Sequence, residues 1–289
     1  MAQAPSRVDD SEGAQAEARQ RKVAWEPLTP RGVAAFSKAT FGRLLLVELV
    51  IALLAAGVVV WCLATAWVPT VREAIHQLPE QGAIRNGELT SPRTSREPLA
   101  SGRNLTFVVA ADGRADWVAS GGLRIEFHQR YLRVCSLLGC AVVDYPRDWR
   151  VEFNRLELEP WWGAWEPVLL GITAVVVVLG LLMGWGLRAS VFCWIVRLIA
   201  FFNDRDLNVA GSWRLAAATA MPGALLLTAG ILLHGLGAFD LIHLLILAVV
   251  HLVLGWVYLI VCPLSLPRLP AARGRLANPF AGPRPESKA

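Results

Sequence analysis

Residues 44–67 read LLLVELVIALLAAGVVVWCLATAW, twenty-four positions with a single charge, Glu48. At 1.5 Å per residue such a helix is about 36 Å long, enough to cross a bilayer with some tilt. Three more blocks of this kind follow, at 168–187, 215–236 and 241–262. Inside hydrocarbon every backbone N–H and C=O must be satisfied within the protein, so isolated apolar runs of this length fold as helices. The pattern predicts a membrane all-α protein with four transmembrane helices. Pro222 is tolerable in the third block because a lipid-embedded helix re-satisfies the freed carbonyl locally, and Pro263 ends the fourth. "LATA" before Trp67 has a faint look of a cleavage site. The arm ahead of it is too long and the apolar core too extended for a signal peptide, so the first block is expected to be an uncleaved anchor.

The rest of the chain divides around these blocks. Residues 1–40 are rich in Ala, Gln, Glu, Arg and Ser and form a basic arm whose first thirty or so residues are expected to be disordered. Residues 33–41 read as a short helix lying on the membrane. Residues 68–166 are polar and carry strand signals, predicting a small β-rich, or α+β, domain inserted between helices 1 and 2. Its first segment has Thr70 as a predicted N-cap with Glu73 in capping-box position. "IRNGELT" holds a turn at Asn86-Gly87, and "NLTFVVA" followed by Asp112-Gly113 and "DWVAS" suggests a hairpin. Leu123, Ile125 and Phe127 alternate with Arg124, Glu126 and His128, the pattern of a half-buried strand. Residues 188–202 repeat Val191, Ile195, Leu198 and Phe202 at helical spacing, so 188–214 reads as an amphipathic helix and loop, in the interface or extending the second span. Residues 264–289 are a Pro/Arg-rich basic tail.

Arginine and lysine orient the chain. The arm to Arg43 carries seven, the 188–214 connection four, the tail five, and the 237–240 turn none. The 68–166 interval carries twelve against thirteen acids, and domains of that length translocate regardless of charge. Both termini and 188–214 are therefore expected in the cytoplasm and the β-rich domain outside it. Trp61, Trp67, Trp161, Trp162 and Trp165 fit an outer aromatic belt, and Trp213 an inner one. A net charge of +5 and a pI near 9.2 raise nucleic-acid binding. The basic residues flank apolar blocks instead of clustering with aromatics, which argues against it. Three Lys stand among 28 basic residues, the usage of a GC-rich bacterial genome.

One span, a domain of about a hundred residues opening with "LPE" at 78–80 and "IRNGELT" at 84–90, and then three spans form a plan that resembles a bacterial family of four-span membrane proteins of unknown function. Some of its members are described as maltodextrin-utilisation membrane proteins. The resemblance covers roughly residues 35–265 and is specific only at "IRNGEL". It implies a membrane location and carries over no active site.

Several residues are candidates for chemistry. Glu48 is an ionisable group inside a span, with a proton or ion role set against interfacial pairing near Arg43. His234, Asp240 and His243 bracket the turn between the third and fourth spans, and His251 lies eight residues on from His243. They suggest a metal pair with Asp240 as third ligand, or a haem site, set against plain interhelical hydrogen bonding. Adjacent helices approach to about 8–10 Å, which leaves little room for a porphyrin. "NDRDLN" at 203–208 opens like a calcium loop but has Val209 and Leu215 where Gly and Glu are needed, so it reads as a solvated loop. Asn104-Leu105-Thr106 is a glycosylation sequon that matters only in a eukaryote. Gly180 and Gly184 form a GxxxG, read first as close packing within the monomer and second as a dimer contact. Arg268, Arg273 and Arg275 follow the last span and are expected to lie against anionic lipid. Cys135 and Cys140 flank "SLLG" between strand-like segments and, if outside, are expected to form a cross-strand disulfide around a four-residue turn. Cys62, Cys193 and Cys262 lie in or beside the spans and read as small apolar residues.

No Walker loop, HExxH, GxSxG or CxxC occurs. The leading expectation is a non-catalytic inner-membrane protein with no cofactor. Its outer domain would meet a protein partner or ligand in an accessory, sensory or assembly role. A metal- or haem-dependent membrane enzyme using His234, His243 and His251 is the alternative, and a small-solute carrier a further one.

Overall fold

In a computed structural model the described residues are 26–91, 98–110, 122–137 and 139–267. The arm before Glu26, the tail with Arg268, Arg273 and Arg275, and the segment with Asp112-Gly113 and "DWVAS" lie outside them. Helix α1 (Pro30–Ala35) leads through a 3-10 turn (Phe36–Lys38) into α2 (Phe41–Ala66) and α3 (Val68–His76). Strands β1 (Ala83–Arg85), β2 (Glu88–Thr90), β3 (Ala100–Ser101), β4 (Leu105–Ala110), β5 (Leu123–His128), β6 (Tyr131–Ser136), β7 (Gly139–Asp144) and β8 (Arg150–Val151) follow. Helices α4 (Arg155–Phe202), α5 (Val209–Ala218), α6 (Met221–Gly235) and α7 (Leu241–Leu264) complete the order. Among the described residues four helical runs are long and apolar enough to cross a membrane: Phe41–His76, Arg155–Phe202, Val209–Gly235 and Leu241–Leu264. Helices and two small sheets together make a helical, membrane-type protein with a β domain.

Two compact units emerge. The first comprises Met1–Glu48, Met183–Gly223 and Val253–Ala289. Thr29 caps α1 by accepting from Gly32 N at 3.0 Å, with Pro30 at the first helical position. Val33 and Phe36 are fully buried in this unit, so one side of the segment expected on a membrane surface packs against protein. Asn208 caps α5 by accepting from Gly211 N at 2.6 Å. Beyond it the Arg214 guanidinium donates to Ala39 O, and the rings of Phe41 and Trp213 lie 5.9 Å apart. The 203–208 loop is a fixed connector: Arg205 donates to Leu266 O and Asp206 N to Pro267 O. Residues 188–202 continue α4 without a break, the second of the two arrangements expected for them.

The second unit comprises Leu49–Leu182 and Ala224–Leu252 and contains the β domain. A three-stranded sheet runs β2-β1-β8 and a five-stranded sheet β3-β4-β5-β6-β7. Asn86 (φ 56°) and Gly87 (φ 80°) make the two-residue turn joining β1 to β2. Positive φ at both central positions matches the right-handed strand twist, which is why Asn-Gly marks this hairpin in the sequence. β4 pairs parallel with β5, Phe107 opposite Ile125, so the connection between them is a crossover. Ala74 and Leu78 join Ile84, Leu89, Leu99, Val109, Tyr145 and Phe153 in one apolar core, with Phe107 and Phe127 packed against it. Burial pushes the Tyr145 phenol above its ordinary value.

The expected cap at Thr70 is not used. α3 starts at Val68, directly after α2, with no side-chain cap, and Pro69 sits in its first turn. Thr70 is buried against Gly102, where a Cβ would collide with its hydroxyl. Trp67, between the two helices, takes the cap position, and Val71 N donates to its carbonyl at 3.0 Å.

Candidate functional site

The β domain contains a buried ionic cluster. Alternation along β5 sends Leu123, Ile125 and Phe127 to one face and Arg124, Glu126 and His128 to the other. The ring of Phe127 lies 4.8 Å from that of Phe153 in the core. The polar face is not solvated: Glu126 is 3% exposed and His128 2%. Arg124 Nε lies 2.8 Å from one Glu126 oxygen and His128 Nε2 3.1 Å from the other, with Arg133 Nη1 at 3.7 Å. Arg133 stands opposite Glu126 in the β5–β6 register. A carboxylate so deep is tolerable because two guanidinium groups and an imidazole compensate it. The His128 ring stacks on Tyr131 at 4.4 Å, and its Nδ1 is buried with no hydrogen-bond partner.

The β6–β7 hairpin carries Cys135 opposite Cys140, joined as a disulfide with Cα atoms 4.0 Å apart. The pairing runs on to Ser136 opposite Gly139, so the loop is the two residues 137–138 and not four. Gly139 takes φ 124°, open to glycine and strained for other residues. β7 is the edge of the five-stranded sheet and exposed along its length, with Val142 and Val143 both outward.

A third feature joins this domain to the turn between α6 and α7. Arg103, in the β3–β4 turn, donates from Nη2 to Gly237 O at 2.9 Å and to Phe239 O at 3.2 Å. Gly237 has φ 88°, and a Cβ there would collide with the Arg103 guanidinium. His234 Nδ1 donates to the same Phe239 oxygen at 2.9 Å. Asp240 starts α7 by accepting from His243 N at 3.0 Å and lies 2.6 Å from His243 Nδ1. These hydrogen bonds hold the Asp240 carboxyl below the ordinary carboxylate value. His234, Asp240 and His243 do come to one turn, each bound to a neighbour. Among the described residues no three His, Cys, Asp or Glu side chains are grouped so as to hold a metal ion. His251 Nδ1 is buried without a partner, farther along α7. Arg72 of α3 clamps Glu166 of α4 through two contacts of 3.0 and 3.1 Å.

Comparison of the chain with protein-family models, with curated proteins and with solved structures finds no match.

The remaining candidates fall as follows. A Cβ at Gly180 or Gly184 would meet nothing within 4 Å, so the GxxxG is not used for packing inside the monomer. Among the described residues nothing approaches those two glycines, whereas a Cβ at Gly255 of α7 would meet the guanidinium of Arg188 and one at Gly230 of α6 the side chain of Leu247. Asn104 sits in the β3–β4 turn, its carbonyl accepting from Leu123 N at 2.8 Å. Glu48 is buried and forms no pair with Arg43. Alternation shows that Arg124, Glu126 and His128 share a face, but nothing local says that this face is covered. Arg103 is one exposed arginine among twelve in its interval, and its partners lie more than 130 residues away.

Proposed function

We infer that this is a non-catalytic four-span protein of a bacterial cytoplasmic membrane, acting in an accessory, sensory or assembly role through its β-rich domain. Charge asymmetry supports the orientation: both termini and 188–214 cytoplasmic, the β domain outside. The observation that carries the reading is the Arg103 contact with Gly237 O and Phe239 O. It links the domain to the turn between the last two spans, so a partner or ligand that shifts the β3–β4 turn also shifts the ends of α6 and α7. The clamp of Arg72 on Glu166 gives the domain a second attachment, to the helices that frame it. The surface offered to a partner is the β7 edge, with its unpaired backbone groups and outward Val142 and Val143.

Photo-crosslinking tests this in cells expressing the full chain, with the reactive group placed in turn at Val142, Val143 and Leu137. A defined adduct, lost when Arg103→Gln uncouples the domain or when Val142→Asp alters the edge, is the expected result. Absence of any adduct from all three positions removes the interaction role. An absorption spectrum and metal analysis of the same preparation check the other class: stoichiometric haem, iron or zinc lost in His243→Ala would replace this reading with the enzyme.

A further inference from the structure

Glu48 occupies the inward face of α2, among buried Leu44, Ile51, Ala52 and Ala55, and is itself 6% exposed. Its Oε1 is fully buried with no hydrogen-bond partner, and no basic group of the described residues forms an ion pair with it. The charged groups of the neighbouring elements are engaged elsewhere. Arg43 has other partners, and Arg214 donates to Ala39 O and Ala210 O. Arg188 lies against Gly255 and over the Phe192 ring, and Arg197 is exposed. An uncompensated carboxylate is expensive in a low-dielectric interior, and an ionisable group in a span marks function by default.

The third helical run is broken beside it. α5 ends at Ala218 and α6 begins at Met221, with Pro222 in the first turn. Pro222 has no N–H, so the Ala218 carbonyl lacks the amide four residues ahead that a continuous helix would supply. The turn tightens instead, Ala220 N donating to Ala217 O at 3.2 Å. Counting residues along the two helices from their shared contacts sets the break level with Glu48. A Cβ on Gly211 would lie 3.0 Å from Ser37 O, Arg214 bonds Ala39 O, and Trp213 faces Phe41, so α5 and the start of α2 advance side by side in one direction. Seven residues on from Phe41 is Glu48, and seven on from Trp213 is Ala220.

Ser212 and Thr219, both fully buried, spend their hydroxyl protons on Asn208 O (3.0 Å) and Ala216 O (2.8 Å). Their oxygens and the carbonyl freed at Ala218 are acceptors, and a protonated carboxyl has one O–H to give them. Broken helices whose unwound carbonyls face an acid are the arrangement by which spans bind protons or cations. We propose that Glu48 and the α5–α6 break form a reversible proton-binding site, the carboxyl O–H donating to a carbonyl freed at the break. The proton comes from water and returns to it, with no other reactant. This inference is independent of the role of the β domain.

The test uses the full chain in membranes and dicyclohexylcarbodiimide, which partitions into apolar phases and reacts with protonated carboxyls. Peptide mapping should find the adduct on Glu48, falling about tenfold between roughly pH 6 and pH 9 and absent in Glu48→Gln. Infrared spectra should show a protonated-carboxyl band that is lost in Glu48→Gln and shifts in deuterated water. Pro222→Ala returns an amide to the break, closes off the Ala218 carbonyl and should move the labelling midpoint to lower pH without unfolding the helix. No adduct and no band at any pH would show an ionised Glu48 and overturn the proposal. So would an adduct and band indifferent to pH and to deuterium, which describe a static acid. Suppression of labelling by sodium at fixed pH would also overturn it, in favour of a metal-cation site.

Discussion

The Arg103 guanidinium donates to the carbonyl oxygen of Phe239, 3.2 Å away and 136 residues along the chain. Gly237 is the position that admits it, because a side chain there would occupy the space of the guanidinium. Arg103→Gln should therefore loosen the α6–α7 turn. Losing an exposed charge-assisted contact of this kind costs about 1 kcal/mol, so amides of residues 237–243 should exchange about fivefold faster. Gly237→Ala should do the same through both φ and the clash, costing about 1–2 kcal/mol. The double variant should cost less than the sum, since both remove one contact. Additive effects in hydrogen exchange would mean that the two residues act separately.

Glu126 is the counter-charge of a buried cluster. Glu126→Gln keeps the shape and leaves Arg124 and Arg133 facing a neutral amide. Breaking a buried pair from one side costs about 3–5 kcal/mol, and the partial exposure of the two arginines puts the expectation at about 3 kcal/mol. Thermal unfolding of the full chain measures it. A loss under about 0.5 kcal/mol would mean that the cluster is solvated in the working protein.

Cys135 and Cys140 should resist alkylation until a reductant is added, because they are bonded to each other. Cys62, Cys193 and Cys262 are buried thiols and should label only after unfolding. Replacing the pair by serine should cost about 2 kcal/mol, the modest value expected of so short a loop. Mass spectrometry of protein quenched with an alkylating agent before lysis decides the matter. Label on both residues without reduction would count against the bond in cells.

Orientation has its own test. A reporter active only outside the cytoplasm, fused after Asp116, should be active. The same reporter after Arg205 or at the C-terminus should be silent. Activity at Arg205 would reverse the helices on either side of it and overturn the four-span arrangement.

Local chemistry alone determined several features of this protein. Four apolar runs specify four helices, because a backbone in hydrocarbon has few ways to satisfy itself. Asn86-Gly87 specifies its turn, because positive φ at two successive positions suits few other residues. Opposed cysteines near a glycine specify a short hairpin, though only the register shortened its loop to 137–138. Other features depend on what lies far away in the chain. Thr70 has the spacing of a cap yet lies buried within a helix, because α3 starts directly after α2 and Trp67 takes the cap position. The polar side of β5 carries the signature of a solvated face, yet packing covers it and makes Glu126 and His128 its most buried members. β4 and β5 are separated by a long segment, and only their register shows that they pair in parallel. GxxxG in α4 signals close approach, but which helix face receives a neighbour is a property of the bundle, and here Gly255 and not Gly180 receives one. Periodicity and turn chemistry act over a few residues and are legible in order. Burial, charge pairing and the seat of Arg103 on a distant turn are set by contacts between segments, which no short window of sequence contains.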